Sequence, residues 1–481
     1  MNAKKVSCSF LFLAPSVVLG LCASVNPAGA QEAVKVDLQK QASDLVGAFE
    51  KAYKAVAGAS VVDLRSGGTV VSIRDGEQMI PASNQKLLTG AAAIAKLGGD
   101  FKFTTTVYLG GKDLAVAGEG DPTLGDPLLA QEAGKSIYEE LDKWAAAVKA
   151  KVGTKLEGDI LLCSDRETFR HADWPKAQHD RWYAAPVAEL NFNNNCFDVT
   201  FRTRDGALVP VVLPESRFIQ VVNRIQKGAK HLWSLRASAD ESVITLTGTA
   251  SQSTRDPLSV AVNDPPMLLG RVLADRIVRA GVEFSGRVRR VKPSTVDLAK
   301  AQVLCQTATP LATVLKRANK RSLNMVAECV FLRTGDGTWP GSAKIVTETL
   351  VKTYELKADS FSISDGGGLS RGNAVSAAAI TKLLAGVAKR KDASIFLDSL
   401  PISGVDGTME RRLDQEPYRK RVLGKTGYIA GVSTLSGYVL DAAGKPAFAF
   451  SILCNNVPGG DGWQAKALQE NICKLLVNSL K

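Results

Sequence analysis

Apolar and polar positions along the chain change period several times, and the changes divide it into elements. A helical pattern near Asp37 to Val56 gives way to "ASVVDLRSGGTVVSIRD", two alternating runs around Arg65-Ser66-Gly67-Gly68, which predict a hairpin. "PASNQKLLTGAAAIAKLGG" follows. Leu87, Leu88, Ala91, Ile94 and Ala95 form one stripe, Pro81 opens the helix and Gly98 closes it, so Ser83 falls in the first turn. From about Asp100 to Arg290 short strands and Gly, Asn and Asp turns dominate, with one amphipathic helix in "PMLLGRVLADRIVRAG". Helical pattern returns in "LATVLKRANKRSLNMVAECVFLRTG" and "AAAITKLLAGVAKR"; a hairpin over 428–454 and a helix from Trp463 to Leu480 close the chain. The simplest topology pairs the first hairpin with the last in one antiparallel sheet carrying helices, and makes the middle an insertion.

With 481 residues, 22% of them charged and 45% hydrophobic, the chain has the size and composition of a globular protein of two or three domains. The first thirty residues stand apart. Lys4 and Lys5 precede an apolar run from Phe10 to Cys22, and Ala28-Gly29-Ala30 suits a cleavage site, so residues 1–30 read as a secretory signal. Cys22 admits a lipoprotein anchor, although Leu21 is large for that motif. No other stretch reaches the roughly 18 apolar residues of a membrane span. The expected mature protein is exported to the periplasm or cell envelope. Its charge, lowered from +12 by the loss of Lys4 and Lys5, allows loose association with a polyanionic envelope or serves solubility alone; no basic run with interleaved aromatics points to nucleic acid.

Six cysteines follow the leader, and an oxidising compartment makes Cys163 with Cys196 a candidate disulfide. With no C-x-x-C and only His171, His179 and His231, neither a metal site nor a cofactor is expected.

Gly424-Lys425-Thr426 ends like a phosphate-binding loop. Arg419 stands where that loop needs its first glycine, however, and a hairpin rather than a helix follows. Lys425 therefore lies at a strand. Ser83 and Lys86 form the one S-x-x-K of the chain, and i, i+3 spacing puts an amine on the same helix face as the hydroxyl it can deprotonate. That role requires a partly neutral amine, hence burial or a neighbouring cation. Ser322 and Asn324 form the one S-x-N outside the leader, in a break between helical segments, and Lys425-Thr426-Gly427 the one K-T-G. Each triplet alone is weak; in this order, on helix, loop and strand, they mark penicillin-binding serine acyltransferases.

The chain resembles the D-alanyl-D-alanine carboxypeptidase/endopeptidase family of class C low-molecular-mass penicillin-binding proteins. "SVVDLRSGGTVVS", "YAAPVAELNFNNN", "VVNRI", "DGGGLSRGN" and "LPISGVDGTMERR" add to the three triplets, and the likeness spans nearly the whole mature chain. It implies an α+β penicillin-recognising transpeptidase/β-lactamase-like domain, residues 31–99 with 291–481, carrying two inserted β-rich domains: 100–206 with 251–290, and 207–250. It implies a substrate, peptidoglycan stem peptides, and covalent inhibition by β-lactams. Ser83 would be acylated, Lys86 its base, and Ser322 the proton relay. Asn324 would hold the substrate amide and Lys86, while Lys425 and Thr426 receive the terminal carboxylate. The N–H groups of Ser83 and Tyr428 would form the oxyanion hole, next to Gly427.

Two positions depart from the family. Tyr428 is bulky where a small hydroxyl residue is usual, and Gln178 occupies the place of an acidic residue that some relatives aim at a stem amino group, leaving Asp180 as the candidate. Ser370 sits in a G-x-S-x-G match. Hydrolases of that type need a later histidine, and all three precede it, so Ser370 reads as a loop residue beside the groove. A β-lactamase and an inactive wall-binding protein with the same fold are the competing readings. The first needs a further water-activating base not visible in the sequence; the second is at odds with intact motif residues.

Overall fold

A computed structural model describes residues 27–205, 207–459 and 462–480. Most of the expected leader, and with it Cys22, lies outside them. Among the described residues no helix is long and apolar enough to cross a membrane.

The two ends of the chain build one antiparallel sheet. Its strands run in the order Val422–Ile429, Val432–Leu440, Pro446–Asn455, Val56–Asp63, Thr69–Ile73, so the first hairpin joins the last one, as the alternation predicts. Ser60 pairs with Ser451 in the centre, and Lys425 with Ser436 at the edge. Alternate side chains point to opposite faces, and the inner strands are buried on both. Ala57, Ala59 and Val61 pack with Phe448, Phe450 and Ile452 beneath the terminal helices Pro27–Tyr53 and Trp463–Asn478. Tyr438, Ala449 and Leu453 face the other way, toward the helices Gln85–Leu97 and Ala377–Ala388. Tyr438 there donates to the carbonyl of Leu384 at 2.8 Å, which satisfies the one polar atom of a buried ring. The first helix stops at Tyr53, short of the predicted Val56, because Lys54 turns left-handed at φ 52° and the strand begins at once.

Helix Gln85–Leu97 is buried nearly throughout, and its run of Ala91, Ala92 and Ala93 lets the helices Asn324–Thr334 and Trp339–Tyr354 approach closely. Ser83 precedes this helix, in a tight turn over Ala82–Asn84.

A second five-stranded sheet, ordered Val288–Val291, Ile160–Cys163, Asp113–Gly118, Lys102–Gly110, Gln302–Pro310, combines strands of the inserted region with the segment 302–310 that follows it. Ile160–Cys163 pairs in parallel with both its neighbours. Helices Glu139–Val152 and Pro265–Arg279 cover it. The former is absent from the sequence reading, although Leu141, Trp144, Ala145 and Val148 give it a helical stripe. A smaller sheet of Gln220–Lys227, Val243–Ala250 and Leu232–Ala237 lies further out.

The expected Cys163–Cys196 disulfide is not formed. Both thiols are free and buried, in strands of two different sheets, and the other cysteines after the leader are free as well.

Candidate active site

The turn at Ser83 is held by the sheet edge. Thr434 Oγ1 donates to the carbonyl of Pro81 at 2.9 Å, Asn84 Nδ2 to that of Lys425 at 2.6 Å, and Ser436 Oγ to Asn84 Oδ1 at 2.7 Å. The fit is tight. A Cβ on Gly427 would stand 2.2 Å from Thr434 Oγ1, and 2.9 Å from both the Pro81 carbonyl oxygen and the Ser83 nitrogen. Only glycine permits the strand to pass this close to the turn. Ala82, with φ 45°, adopts a left-handed conformation that costs energy for a residue with a Cβ, immediately before Ser83.

Lys86 follows one helical turn on and is 2% exposed. Its Nζ lies 2.9 Å from Ser83 Oγ, 2.6 Å from Asn324 Oδ1 and 2.6 Å from the carbonyl oxygen of Gly367. Burial lowers its pKa to about 7 against the opposing pull of Asp365 and Glu328. An amine so placed is partly neutral near neutral pH and can accept a proton from the hydroxyl beside it. Asn324 is oriented from its other side, where Nδ2 donates to the carbonyl of Tyr183 in the inserted region at 2.8 Å.

Lys425 is buried too. Its Nζ donates to Ser322 Oγ at 2.8 Å and to its neighbour Thr426's carbonyl at 2.7 Å. Burial, and next the charge of Lys86, hold it well below the ordinary lysine range. Ser322 is itself left-handed at φ 57°, in the break between helices Leu311–Lys320 and Asn324–Thr334. Thr426 Oγ1 donates to Thr408 Oγ1 at 2.7 Å.

Ser83, Ser322, Asn324, Thr426 and Tyr428 open onto one cavity of about 700 Å³, whose far wall carries Asp173, Gln178 and Arg371. The Tyr428 side chain is half exposed. Ser370 is fully buried behind the wall, donating to Asp173 Oδ2 at 2.8 Å. Asp180 is exposed and lies 3.5 Å from its neighbour Arg181, whereas Gln178 lines the cavity.

Several residues that shape the site have no motif of their own. Glu328, one turn after Asn324, accepts the N–H groups of Gly366 at 3.0 Å and Gly367 at 2.5 Å, and the indole N–H of Trp339 at 3.0 Å. It thereby sets the loop whose carbonyl meets Lys86; burial, with the Asp365 charge second, pushes its pKa up to about 8. Asp365 accepts from Gly368 N, Ser370 N and Trp174 Nε1 at 2.7, 2.6 and 2.9 Å. Asp173 is held below the usual carboxylate range, chiefly by the Ser370 hydroxyl. The "DGGG" run and an acid four residues after Asn324 were the available signals.

A serine open to the groove and paired with a buried lysine, between an antiparallel sheet edge and a helical layer and faced by a second serine–lysine pair, defines the penicillin-recognising class of serine acyltransferases. The chain belongs to the D-Ala-D-Ala carboxypeptidase 3 (S13) family, whose sequence profile matches residues 38–478. It is 29% identical over 439 residues to a D-alanyl-D-alanine carboxypeptidase of Actinomadura sp. (strain R39), a match covering 84% of this chain and 78% of that one. Penicillin binding protein 4 (dacB) from Haemophilus influenzae superposes with a TM-score of 0.74 at 23% identity, covering 90% of this chain and 99% of its own. A penicillin G-acylated predatory endopeptidase from Bdellovibrio bacteriovorus gives 0.50 at 14% identity, over 88% and 92% of the two chains.

Proposed function

We propose that Ser83 is the nucleophile of this serine-type D-Ala-D-Ala carboxypeptidase/endopeptidase, and that it acts on peptidoglycan stem peptides in the periplasm or cell envelope. The observation that carries this reading is the 2.9 Å contact between Ser83 Oγ and a Lys86 amine whose pKa is lowered to about 7. Ser83 Oγ attacks the carbonyl carbon of the penultimate D-alanine while its proton passes to Lys86. The N–H groups of Ser83 and Tyr428 receive the oxyanion. The C–N bond then breaks as Ser322, bonded to Lys425, passes its hydroxyl proton to the departing amine and regains one from the protonated Lys86, which returns to the neutral amine. Lys425 and Thr426 meet the substrate's terminal carboxylate, and Asn324 its amide. Water, deprotonated by Lys86, hydrolyses the ester and restores Ser83.

A β-lactam presents the same amide and carboxylate, but its leaving nitrogen stays tethered and blocks water. Fluorescent penicillin is expected to label the mature protein one-to-one, with the label mapped to "PASNQK". Ser83→Ala abolishes labelling and Ser370→Ala, which alters a hydroxyl behind the wall, retains it. Label on Ser370, or no adduct on folded protein, overturns the assignment.

A further inference from the structure

The arginines of this chain differ in what holds them. Among the described residues most are engaged by a carboxylate, a backbone carbonyl or an aromatic ring, as Arg317 is by Asp126 and Arg271 by Asp240. Arg202, Arg204, Arg224, Arg236 and Arg255 are exposed and engaged by none of these. Among the described residues outside this stretch the same holds only of Arg321, which lines the Ser83 cavity, and of Arg411. A guanidinium presents its donors in a rigid fork that fits a carboxylate, and a cluster of them left open is an electrostatic footprint for an anionic partner.

Register places two of them on one face. In the small sheet Arg224 of strand Gln220–Lys227 stands opposite Thr247, and Arg236 of strand Leu232–Ala237 stands opposite Thr245, two residues along the strand between them. Ile244 and Leu246 of that middle strand enter the core with Leu235, so Thr245, Thr247 and both arginines point outward. Ser234 and Thr249 share this face, Ser234 Oγ lies 3.1 Å from Thr247 Oγ1, and no acidic side chain stands on it. Its large exposed apolar residue is Leu232. The other arginines flank the sheet. Arg202 and Arg204 follow Phe201, whose ring packs on those of His231 and Trp233 at 5.2 and 5.4 Å; Arg255 follows Thr254, whose N–H donates to the Phe201 carbonyl at 3.0 Å. Asp205 and Asp256, next to Arg204 and Arg255 in the chain, form no ion pair with them.

Such a surface fits a polymer that carries carboxylates at intervals. A membrane surface is held by apolar side chains as well as by charge, and a face of arginine, serine and threonine with Leu232 alone gives lipid little to bury. Hydroxyls set between guanidinium groups suit a hydrated chain of sugars and peptides, whose own hydroxyls and carbonyls they can meet. None of these residues lines the Ser83 cavity. A peptide being cut there and a group bound on the small sheet are therefore different parts of one long ligand.

We propose that the outer face of the small sheet is a docking surface for the peptidoglycan polymer, held through the carboxylates of stem peptides other than the one being cut. The inference rests on the proposed function for the identity of the polymer; what it adds is a second place of attachment and the arginines that form it. Polymer attached there keeps its remaining stems at a high effective concentration beside the groove, whereas a free short peptide gains nothing from it.

The test uses the mature protein and the double variant Arg224→Gln/Arg236→Gln, both positions being exposed. Each protein is first acylated with penicillin to close the groove. It is then sedimented with purified peptidoglycan, with the same polymer after its carboxylates are converted to amides, and with anionic phospholipid vesicles. Acylated wild type is expected to co-sediment with untreated peptidoglycan, to be released by salt, and to lose about tenfold or more in affinity through the double substitution or on the amidated polymer. The acylation rate, and kcat/KM on a short peptide ending in D-Ala-D-Ala, change by less than about twofold. Failure of the acylated wild type to sediment, equal binding by the variant, equal binding to the amidated polymer, or a parallel loss on the short peptide overturns the docking surface. Binding to vesicles in place of the polymer, through the same arginines, assigns the face to a membrane and overturns it too. If penicillin leaves the protein unmodified, the Ser83 reading falls instead; the unblocked wild type and variant are then compared on the polymer, and equal binding overturns the docking surface on its own account.

Discussion

Lys425 donates to Ser322 Oγ across 2.8 Å, joining a strand to a loop 103 positions away in the chain. Lys425 thus touches the proposed proton relay and borders Thr426, so the two duties proposed for it can be separated by choice of substrate. Lys425→Ala is expected to impair hydrolysis of a peptide ending in free D-alanine far more than hydrolysis of the same peptide amidated at its end, because only the first presents an anion. Comparing kcat/KM for the two peptides checks this, and equal losses would place Lys425 elsewhere in the mechanism.

The lowered pKa of Lys86, about 7, has a defined sign in the pH profile. Above that value the amine is largely neutral and takes the Ser83 proton; below it the ammonium has no capacity to do so. Acylation by penicillin should therefore fall by about tenfold per unit on the acid side of that pKa. Lys86→Arg stays charged throughout and is expected to lose acylation by about 10²-fold or more while keeping its fold, measured by stopped-flow labelling and circular dichroism.

Gly427→Ala probes the closeness of strand and turn. The added carbon meets the Pro81 carbonyl oxygen and the Ser83 nitrogen, both backbone atoms, at 2.9 Å, so the turn must move rather than a flexible side chain. A displacement approaching 1 Å at the nucleophile costs about 10²-fold in rate. The expected variant melts cooperatively and acylates slowly; wild-type acylation would show that the turn tolerates the shift.

Glu328→Gln tests a residue that never touches substrate. A glutamine amide turns its NH₂ toward one of the donors now satisfied by the carboxylate, the Gly366 and Gly367 N–H groups or the Trp339 indole. A loss of about 1–3 kcal/mol is expected, read as a lowered Tm. Penicillin acylation slows as well, since the Gly367 carbonyl that holds Lys86 is no longer fixed. An unchanged Tm and rate would make this network dispensable.

Much of this was legible beforehand for a physical reason. Ser83–Lys86, Ser322–Asn324 and Lys425–Gly427 are local spacings, and a hydroxyl or amine placed by one helical turn or one strand repeat keeps its relation to its neighbour in any fold. The central sheet was legible too, because strands buried on both faces read as short runs rich in apolar, small and β-branched residues, bounded by turn residues, as at 59–73 and 428–454. What stayed hidden depends on distant segments. Glu328 reads as an ordinary helical acid until the 366–367 loop arrives above it, and Asp173 until Ser370 does. Helix Glu139–Val152 was lost among Lys and Glu residues that mask its narrow stripe. The Cys163–Cys196 disulfide does not form because nearness in sequence is not nearness in space: the two strands belong to separate sheets.

Asn324 has one end on Lys86 and the other on the carbonyl of Tyr183, a backbone oxygen supplied by the inserted region. That carbonyl decides which way round the amide sits. A shortened chain without residues 100–290 would retain all three triplets, Ser83–Lys86, Ser322–Asn324 and Lys425–Gly427, yet the amide could turn its nitrogen toward the lysine and set two donors face to face. A minimal version of this site cannot be reached by subtraction: excising the part that looks like an ornament would leave Ser83 in place and release the amide that positions Lys86.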